Sequence, residues 1–157
     1  MGDERVQRFG PVLRYADADA AIAFLVEAFG FREHVVHRDD DGSVVHAELE
    51  YEGDFVGLSS KRPNDPDDLY DLGPCAVYVV VDDPDAHHAR AAAAGADVIY
   101  PLTDQDYGSR DYSVRDAEVF VWSFGPTASG PIPADLGVGR RARWSLDLCG
   151  SPGSGLR

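Results

Sequence analysis

The feature that most constrains the fold is an internal repeat, because residues recur along the chain at a single offset of 65 positions. The matched pairs are Asp17 with Asp82, Gly30 with Gly95, Phe55 with Phe120 and Val56 with Val121. One copy of the repeat is too short to bury a sheet face by itself. Two copies are therefore expected to pack together as one unit.

Each copy has the hydrophobic pattern of a β-α-β-β-β unit. Asp17 is placed to cap the first helix and Gly30 to end it, and the acids and proline at residues 82–85 are placed to start the second. The predicted strands are residues 11–15, 31–38, 44–51 and 55–59, then 76–81, 96–102, 110–114 and 119–124. The chain is therefore predicted to be an α+β protein in which two βαβββ modules form a curved, eight-stranded mixed sheet around a concave cleft.

Composition shifts set the predicted boundaries of the modules. A stretch rich in proline and aspartate indicates a linker, and a stretch rich in proline, glycine, serine and arginine indicates an irregular tail that could instead cross a partner subunit. The predicted organisation is an N-terminal extension at 1–8, a first module at 9–60, a linker at 61–73, a second module at 74–126 and the tail at 127–157.

The charge of the chain argues against two classes of partner. The net charge is −14, and the chain before Thr127 carries 10 basic and 26 acidic residues, a net charge of −16. Such a body repels nucleic acid and anionic membranes and attracts cations, although acidic surfaces also serve solubility alone. Two cysteines, the lack of a signal-peptide pattern and the absence of a long apolar run lead us to expect a cytoplasmic protein.

Four segments carry a family resemblance. They are VLRYAD at 12–17, AFGF at 28–31, VHAEL at 45–49 and YGSRDYSVRD at 107–116. Over about residues 9–125 the chain is similar to the vicinal oxygen chelate superfamily, which includes glyoxalases, bleomycin-resistance proteins and extradiol dioxygenases. The last two segments resemble the bleomycin-resistance-like and glyoxalase-like branches. The resemblance implies the two-module fold, whereas the same fold hosts several unrelated chemistries.

The resemblance also implies where a divalent metal would be held. In this sequence the family's ligand positions fall on Gly10, on Gly57 or Leu58, on Ala76 and on Ser123. None is a ligand of the required type, so we predict no metal and no cofactor. The family's usual Asp-Pro-(Asp/Glu)-Gly-Asn turn is replaced by DAEVF at residues 116–120.

Strand alternation predicts which side chains line the cleft. If Ser123 faces the cleft, Trp122 and Phe124 face the helices. On the paired strand Val45, Ala47 and Leu49 are then expected to face the helices, which leaves His46, Glu48 and Glu50 in the cleft. Their matches in the second copy are Asp111, Ser113 and Arg115. The predicted ligand-binding residues are Arg14, His46, Glu48, Tyr78, Tyr107, Asp111, Ser113 and Ser123, and no catalytic residue is assigned.

Several of these residues admit two interpretations. His46 beside Glu48 is either a general base with an orienting carboxylate or a satisfied polar pair. Arg14 either clamps a ligand carboxylate or phosphate, or neutralises Glu48 or Glu50. Tyr107 either stacks on a flat ligand or closes the core edge. Two further histidines, His87 and His88, are expected to be solvated on an exposed helix.

Three functions remain open from the sequence. The favoured one is a metal-free binding protein that sequesters a small ligand, cationic or aromatic, in the manner of bleomycin-resistance proteins. The alternatives are a metal-dependent lyase, isomerase or dioxygenase, and a metal-free enzyme that uses His46 or Arg14. The unpaired edges of an open sheet, together with the resemblance to dimeric family members, predict a homodimer.

Overall fold

A computed structural model describes residues 7–63, 65–106 and 108–126 of the chain. Its elements follow the order β-α-β-β-β twice, which confirms the predicted α+β fold of two βαβββ modules. The elements are β1 (Val12–Tyr15), α1 (Ala18–Phe29), β2 (Arg32–Arg38), β3 (Val44–Tyr51), β4 (Asp54–Ser60), β5 (Ala76–Val80), α2 (Pro84–Ala93), β6 (Asp97–Asp104), β7 (Arg110–Arg115) and β8 (Val121–Gly125). The tail predicted at 127–157, most of the extension predicted at 1–8, and Tyr107 lie outside the described residues.

The eight strands are divided between two four-stranded mixed sheets, one in each module. The strand orders are β1-β4-β3-β2 and β5-β8-β7-β6. In each sheet the first strand runs parallel to the last, and the remaining pairs are antiparallel. The parallel pairs place Val12 opposite Gly57 and Tyr78 opposite Ser123. Strands β1 and β5 are therefore the edge strands on equivalent sides of the two sheets.

The two helices begin and end at residues suited to those positions. The Asp17 side chain accepts a hydrogen bond from the Ala20 N–H at 2.9 Å, and Gly30 ends α1 in the left-handed conformation with φ of 80°. In the second module Asp83, not Asp82, caps α2 through the Ala86 N–H at 2.9 Å. The caps thus fix where each helix crosses its sheet.

The repeat does not keep one offset, which corrects the pairing expected from the sequence. Gly30 and Gly95, both in the left-handed conformation, are 65 residues apart, but the helix caps are 66 apart. The offset is again 66 in the last strands, because Val56 and Leu58 are buried where Trp122 and Phe124 are buried. The second helix is shorter, with 10 residues against 12, and the β7–β8 turn is longer than the β3–β4 turn, so Phe55 and Val56 do not match Phe120 and Val121.

An irregularity in the first sheet reverses the direction predicted for one side chain, that of Val45. The register of β2 and β3 shifts between His37, which pairs with His46, and Arg38, which pairs with Val44. Val45 is the extra residue and is 41 % exposed, whereas Val44 is 2 % exposed. The expectation that Val45 faces the helices is wrong, because a bulge reverses the alternation locally. Ala47, beyond the bulge, is buried as predicted.

The helix-facing sides of both sheets contribute to one hydrophobic core. The ring of Phe29, the last residue of α1, lies 4.6 Å from the Phe124 ring and 5.7 Å from the Trp122 ring of the second module. The Tyr15 ring lies 4.6 Å from the Phe120 ring. Each sheet therefore has one face in the shared core and one face directed away from it.

His87 belongs to this core, contrary to the expectation that it is solvated. It is 8 % exposed, with Nδ1 2.6 Å from the Tyr112 hydroxyl and Nε2 2.9 Å from the Phe29 carbonyl oxygen. A carbonyl only accepts, so Nε2 donates and Nδ1 accepts from the hydroxyl. Burial lowers the pKa of His87, which keeps the ring neutral. His88 is half-buried, with its ring edge-on to Tyr112.

Candidate functional site

Each sheet directs a set of polar and apolar side chains away from the core. We call the outward residues of β1, β3 and β4 the first face; they are Val12, Arg14, His46, Glu48, Gly57 and Ser59. We call the outward residues of β5, β7 and β8 the second face; they are Tyr78, Val80, Asp111, Ser113, Ser123 and Gly125. Trp122 and Phe124 are fully buried on the opposite side of β8 from Ser123, as alternation predicts.

The first face carries a histidine–carboxylate pair. His46 Nε2 lies 3.1 Å from Glu48 Oε1, and the two side chains are 51 % and 38 % exposed. They line a shallow depression of about 250 Å³ together with Val12 and Gly57. The pair is open to solvent, so it can contact a ligand, and its carboxylate can orient one imidazole nitrogen.

Arg14 has a different partner from the two expected. It donates to Ser59 Oγ and, at 3.0 Å, to Asp68 Oδ1 in the linker. Its guanidinium carbon lies 5.5 Å from the centre of the Tyr70 ring. The expectation that Arg14 neutralises Glu48 or Glu50 is therefore wrong. The linker returns across the first face, and sequence patterns gave no sign of this approach.

The second face is built around a row of hydroxyl groups. Ser113 Oγ and Ser123 Oγ lie 2.8 Å apart, and Gln105 Nε2 donates to Asp111 Oδ1 at 2.7 Å. Burial raises the pKa of the Tyr78 hydroxyl, and a hydrogen bond with Ser109 opposes the shift. These contacts preorganise a surface with donors and acceptors and a tyrosine ring that is 52 % exposed.

Some residues of the two faces were missed from the sequence. Gly125 leaves room for Tyr78, because a Cβ at Gly125 would collide with the tyrosine hydroxyl. Ser59 and Gly125 could have been predicted from the same alternation that identified Ser123, because they lie two residues beyond the outward positions Gly57 and Ser123. Gln105 and Asp68 lie outside regular alternation, in segments for which the sequence predicted no contact.

The predicted site residues lie on two different sheets. Arg14, His46 and Glu48 lie on the first face, and the remaining described ones lie on the second face: Tyr78, Asp111, Ser113 and Ser123. Over the described ranges the two sheets share no strand pairing. That all seven line one cleft thus stays a prediction, and Tyr107 cannot be assigned to either face.

The residues present do not fit a divalent metal at the positions that the resemblance implies. The parallel register and burial select Gly57 over Leu58, which is 1 % exposed in the core. Gly10, Gly57 and Ala76 offer no side-chain donor, and Ser123 offers one hydroxyl, whereas a metal needs three or four converging donors. No group of three or more histidine, cysteine or acidic residues within the described ranges is arranged to hold a metal ion.

In the part of the chain that the structure describes, neither helix combines the length and the apolar character needed to cross a bilayer.

Comparisons with known proteins agree on the family. The model of the glyoxalase/bleomycin resistance protein/dioxygenase superfamily matches residues 6–124. An uncharacterised protein of Mycobacterium bovis is 35 % identical over 122 residues, which cover 73 % of this chain and 80 % of the relative. The crystal structure of TioX from Micromonospora sp. ML1 is 36 % identical, with a TM-score of 0.64 over 75 % of this chain and 98 % of TioX.

A lactoylglutathione lyase from Agrobacterium tumefaciens resembles the chain in fold alone. Its crystal structure gives a TM-score of 0.60 at 18 % identity, covering 78 % of this chain and 95 % of the lyase. At that identity the likeness transfers no activity.

Proposed function

The chain belongs to the glyoxalase/bleomycin resistance protein/dioxygenase superfamily, and on that premise we propose that it is a metal-free protein that binds and sequesters a small organic molecule, an antibiotic or a metabolite. The superfamily contains enzymes as well as binding proteins, so the family alone does not decide between them. The side chains of the two faces supply the argument.

The observation that carries the proposal is the contrast between the metal positions and their surroundings. Gly10, Gly57, Ala76 and Ser123 supply no metal-binding set, yet the side chains around them suit an organic ligand. Exposed apolar groups, with Val80 45 % exposed, stand beside carboxylates and hydroxyls. Such a mixture of apolar surface and a few placed polar groups is typical of small-molecule sites.

The charge of the chain favours a cationic or aromatic ligand. The net charge of −16 before Thr127 raises the local concentration of cations. Glu48 on the first face is 38 % exposed and can contact such a ligand directly, and the half-exposed Tyr78 ring can stack on an aromatic one.

Two features support a homodimer in which the site is completed by a second copy. The two faces belong to separate sheets that share no strand pairing over the described ranges, so strand pairing within one chain does not join them. Among the residues that the structure describes, strands β1 and β5 each leave one edge unpaired, and their exposed residues Val12, Tyr78 and Val80 are apolar. We propose that the first face of one copy and the second face of the other enclose the cleft.

A thermal-shift screen tests the proposed function. Cationic glycopeptide and aromatic antibiotics are compared with short keto acids and thiol adducts. Saturable stabilisation by one of the first group supports sequestration, because a ligand that binds the folded state raises Tm. A response confined to keto acids or thiol adducts contradicts the cationic or aromatic class of ligand.

Elemental analysis of the purified protein tests the metal-free part of the proposal separately. We expect no stoichiometric divalent metal. About one zinc, nickel, manganese or iron per chain, retained after dialysis and bound by residues of the faces, would favour a metal-dependent lyase, isomerase or dioxygenase instead.

One observation favours a second candidate, a metal-free enzyme. His46 and Glu48 have the geometry of a general base with its orienting carboxylate, and Arg14 could hold an anionic group of a substrate. A bound compound that is converted by the wild type, and bound but not converted by His46→Gln, would establish this candidate. Recovery of the unchanged compound from the wild type supports sequestration.

A further inference from the structure

A strap formed by residues 65–73 of the linker lies against the first face at one buried point. The Asp68 side chain is 3 % exposed, and the Arg14 side chain to which it binds is 10 % exposed. Arg14 is also held by Ser59, which is 4 % exposed and directly opposite it on β4. A charged pair this buried needs well-matched hydrogen bonds to offset the loss of solvation.

The contact between Asp68 and Arg14 leaves buried polar atoms without partners. Both hydrogen bonds to the Asp68 carboxylate, from Arg14 and from the Tyr70 N–H, go to Oδ1. Asp68 Oδ2 and Arg14 Nε are buried and have no hydrogen-bond partner in the described part of the chain. A free carboxylate can instead accept two parallel hydrogen bonds from a guanidinium, so Asp68 leaves part of the hydrogen-bonding capacity of Arg14 unfilled.

The rest of the strap is held weakly. Its large apolar residues project into solvent, with Leu69 80 %, Tyr70 62 % and Leu72 88 % exposed. Its other ion pairs, between Lys61 and Asp71 at 3.4 Å and between Arg62 and Asp65 at 3.9 Å, are partly exposed and contribute little. Apart from the contact of the Tyr70 ring with Arg14, the strap has one buried polar contact and exposed apolar side chains, and a segment held in this way opens at low free-energy cost.

We propose that Arg14 and Ser59 form a carboxylate-binding site that Asp68 occupies from within the chain, and that a ligand carboxylate displaces Asp68 and releases the strap. The incoming carboxylate satisfies both Arg14 Nε and its neighbouring terminal nitrogen. The released Asp68 regains water at Oδ2. The first face therefore selects for a ligand that carries a carboxylate, beside the cationic or aromatic group of the proposed function.

Benzoate is the probe, and its neutral isostere benzamide is the ligand control. Asp68→Asn removes the internal carboxylate, and Asp71→Asn removes the same charge from the same strap without touching Arg14. We expect benzoate to bind Asp68→Asn roughly tenfold more tightly than the wild type, which is the scale of one charge-assisted hydrogen bond. Asp71→Asn should bind benzoate like the wild type, and benzamide should not distinguish the variants.

Hydrogen exchange of the wild type provides a second readout that needs no variant. The amides of Tyr70 and Asp71 donate to the side chain and the carbonyl of Asp68. If benzoate displaces Asp68, these amides exchange faster at saturating benzoate but not with benzamide. If Asp68→Asn fails to fold, this hydrogen-exchange measurement tests the inference by itself.

The inference is overturned by equal benzoate affinities of Asp68→Asn and Asp71→Asn, or by unchanged exchange of the strap amides when benzoate is bound. In the double variant Arg14→Ala, Asp68→Asn, the gain in affinity should disappear, and its persistence would place the anion elsewhere. Since none of these measurements uses the natural ligand, their failure leaves the proposed sequestration to its own test.

Discussion

The hydroxyl of Tyr15 in β1 donates a buried hydrogen bond of 2.7 Å to the carboxylate of Asp116 in the β7–β8 turn. Burial and the neighbouring carboxylate raise the pKa of Tyr15 above its usual range, so the hydroxyl keeps its proton. The same carboxylate accepts from Trp122 Nε1 at 3.1 Å and from the Phe120 N–H at 3.0 Å. One side chain thus joins the turn of the second module to the first strand of the first.

Replacing Asp116 should destabilise the fold strongly. Asp116→Ala leaves several buried donors unpaired, so we expect the free energy of unfolding to fall by about 3–5 kcal/mol. Tyr15→Phe removes one donor and its partner still has others, so its cost should be about 1 kcal/mol. Urea denaturation of both variants measures the difference. Equal costs would mean that Asp116 acts through Tyr15 alone.

Stability should fall as the pH is lowered from 7 to 5, in part through His87. Burial depresses the pKa of His87 in the folded state below the value of about 6.5 expected when unfolded. The unfolded chain therefore binds more protons in this window, so the contribution of His87 is complete above pH 6.5 and is lost on acidification. The groups around the ring are the Tyr112 hydroxyl, the Phe29 carbonyl, Tyr51 and Arg90, and a protonated ring would lose its bond from Tyr112.

The variant His87→Gln tests the assignment of this pH dependence. It should be less stable than the wild type at pH 7 but should show a flatter decline between pH 7 and pH 5, measured as Tm. His46→Gln makes the same substitution at an exposed histidine outside the core and serves as the matched control. An unchanged slope in His87→Gln would assign the pH dependence to other groups.

Removing the charge of Glu48 should weaken the binding of a cationic ligand without affecting the fold. For Glu48→Gln we expect a two- to fivefold loss of affinity, the range for an exposed ion pair, and a Tm near that of the wild type. Glu52→Gln removes an equal charge from the exposed β3–β4 turn and should leave the affinity nearly unchanged. Calorimetric titration at low and high salt separates direct contact with Glu48 from the electrostatic field of the whole acidic protein. Loss of the general field would weaken ligand binding equally in both variants, whereas loss of a direct contact would weaken it in Glu48→Gln alone.

A charge on the β5 edge should dissociate the proposed homodimer. Val80 is 45 % exposed on this strand, and Val80→Lys should weaken self-association by roughly tenfold or more while leaving the core intact. Val119→Lys makes the same change at a residue 56 % exposed in the β7–β8 turn and is the control. Light scattering against concentration gives both dissociation constants. A wild type that is monomeric at micromolar concentration contradicts the proposal.

The elements of the fold could be predicted because they depend on local signals. The cap at Asp17, the left-handed turn at Gly30 and the period-two pattern around Ser123 each need only near neighbours in sequence. The exact matching of the two copies could not, because a shortened helix lowers the offset from 66 to 65 and a lengthened turn restores it to 66, and neither changes the pattern.

The parts of the site that escaped prediction depend on contacts distant in sequence. Strand alternation alone predicts the wrong side of the sheet for Val45, because a bulge depends on how two strands pair. His87 lies beneath the first module, whose Phe29 carbonyl is 58 residues away. Asp68 belongs to a linker with no periodicity, and only the path of the folded chain brings it to Arg14.

The position of Phe29 bears on whether either module could fold as a separate chain. This ring ends the helix of one copy but packs among Trp122 and Phe124 of the other. A chain divided in the linker would thus yield two fragments that each expose part of an aromatic core, and neither would persist alone. The two modules therefore depend on each other for a closed core, and mixing the fragments should restore the fold that neither retains.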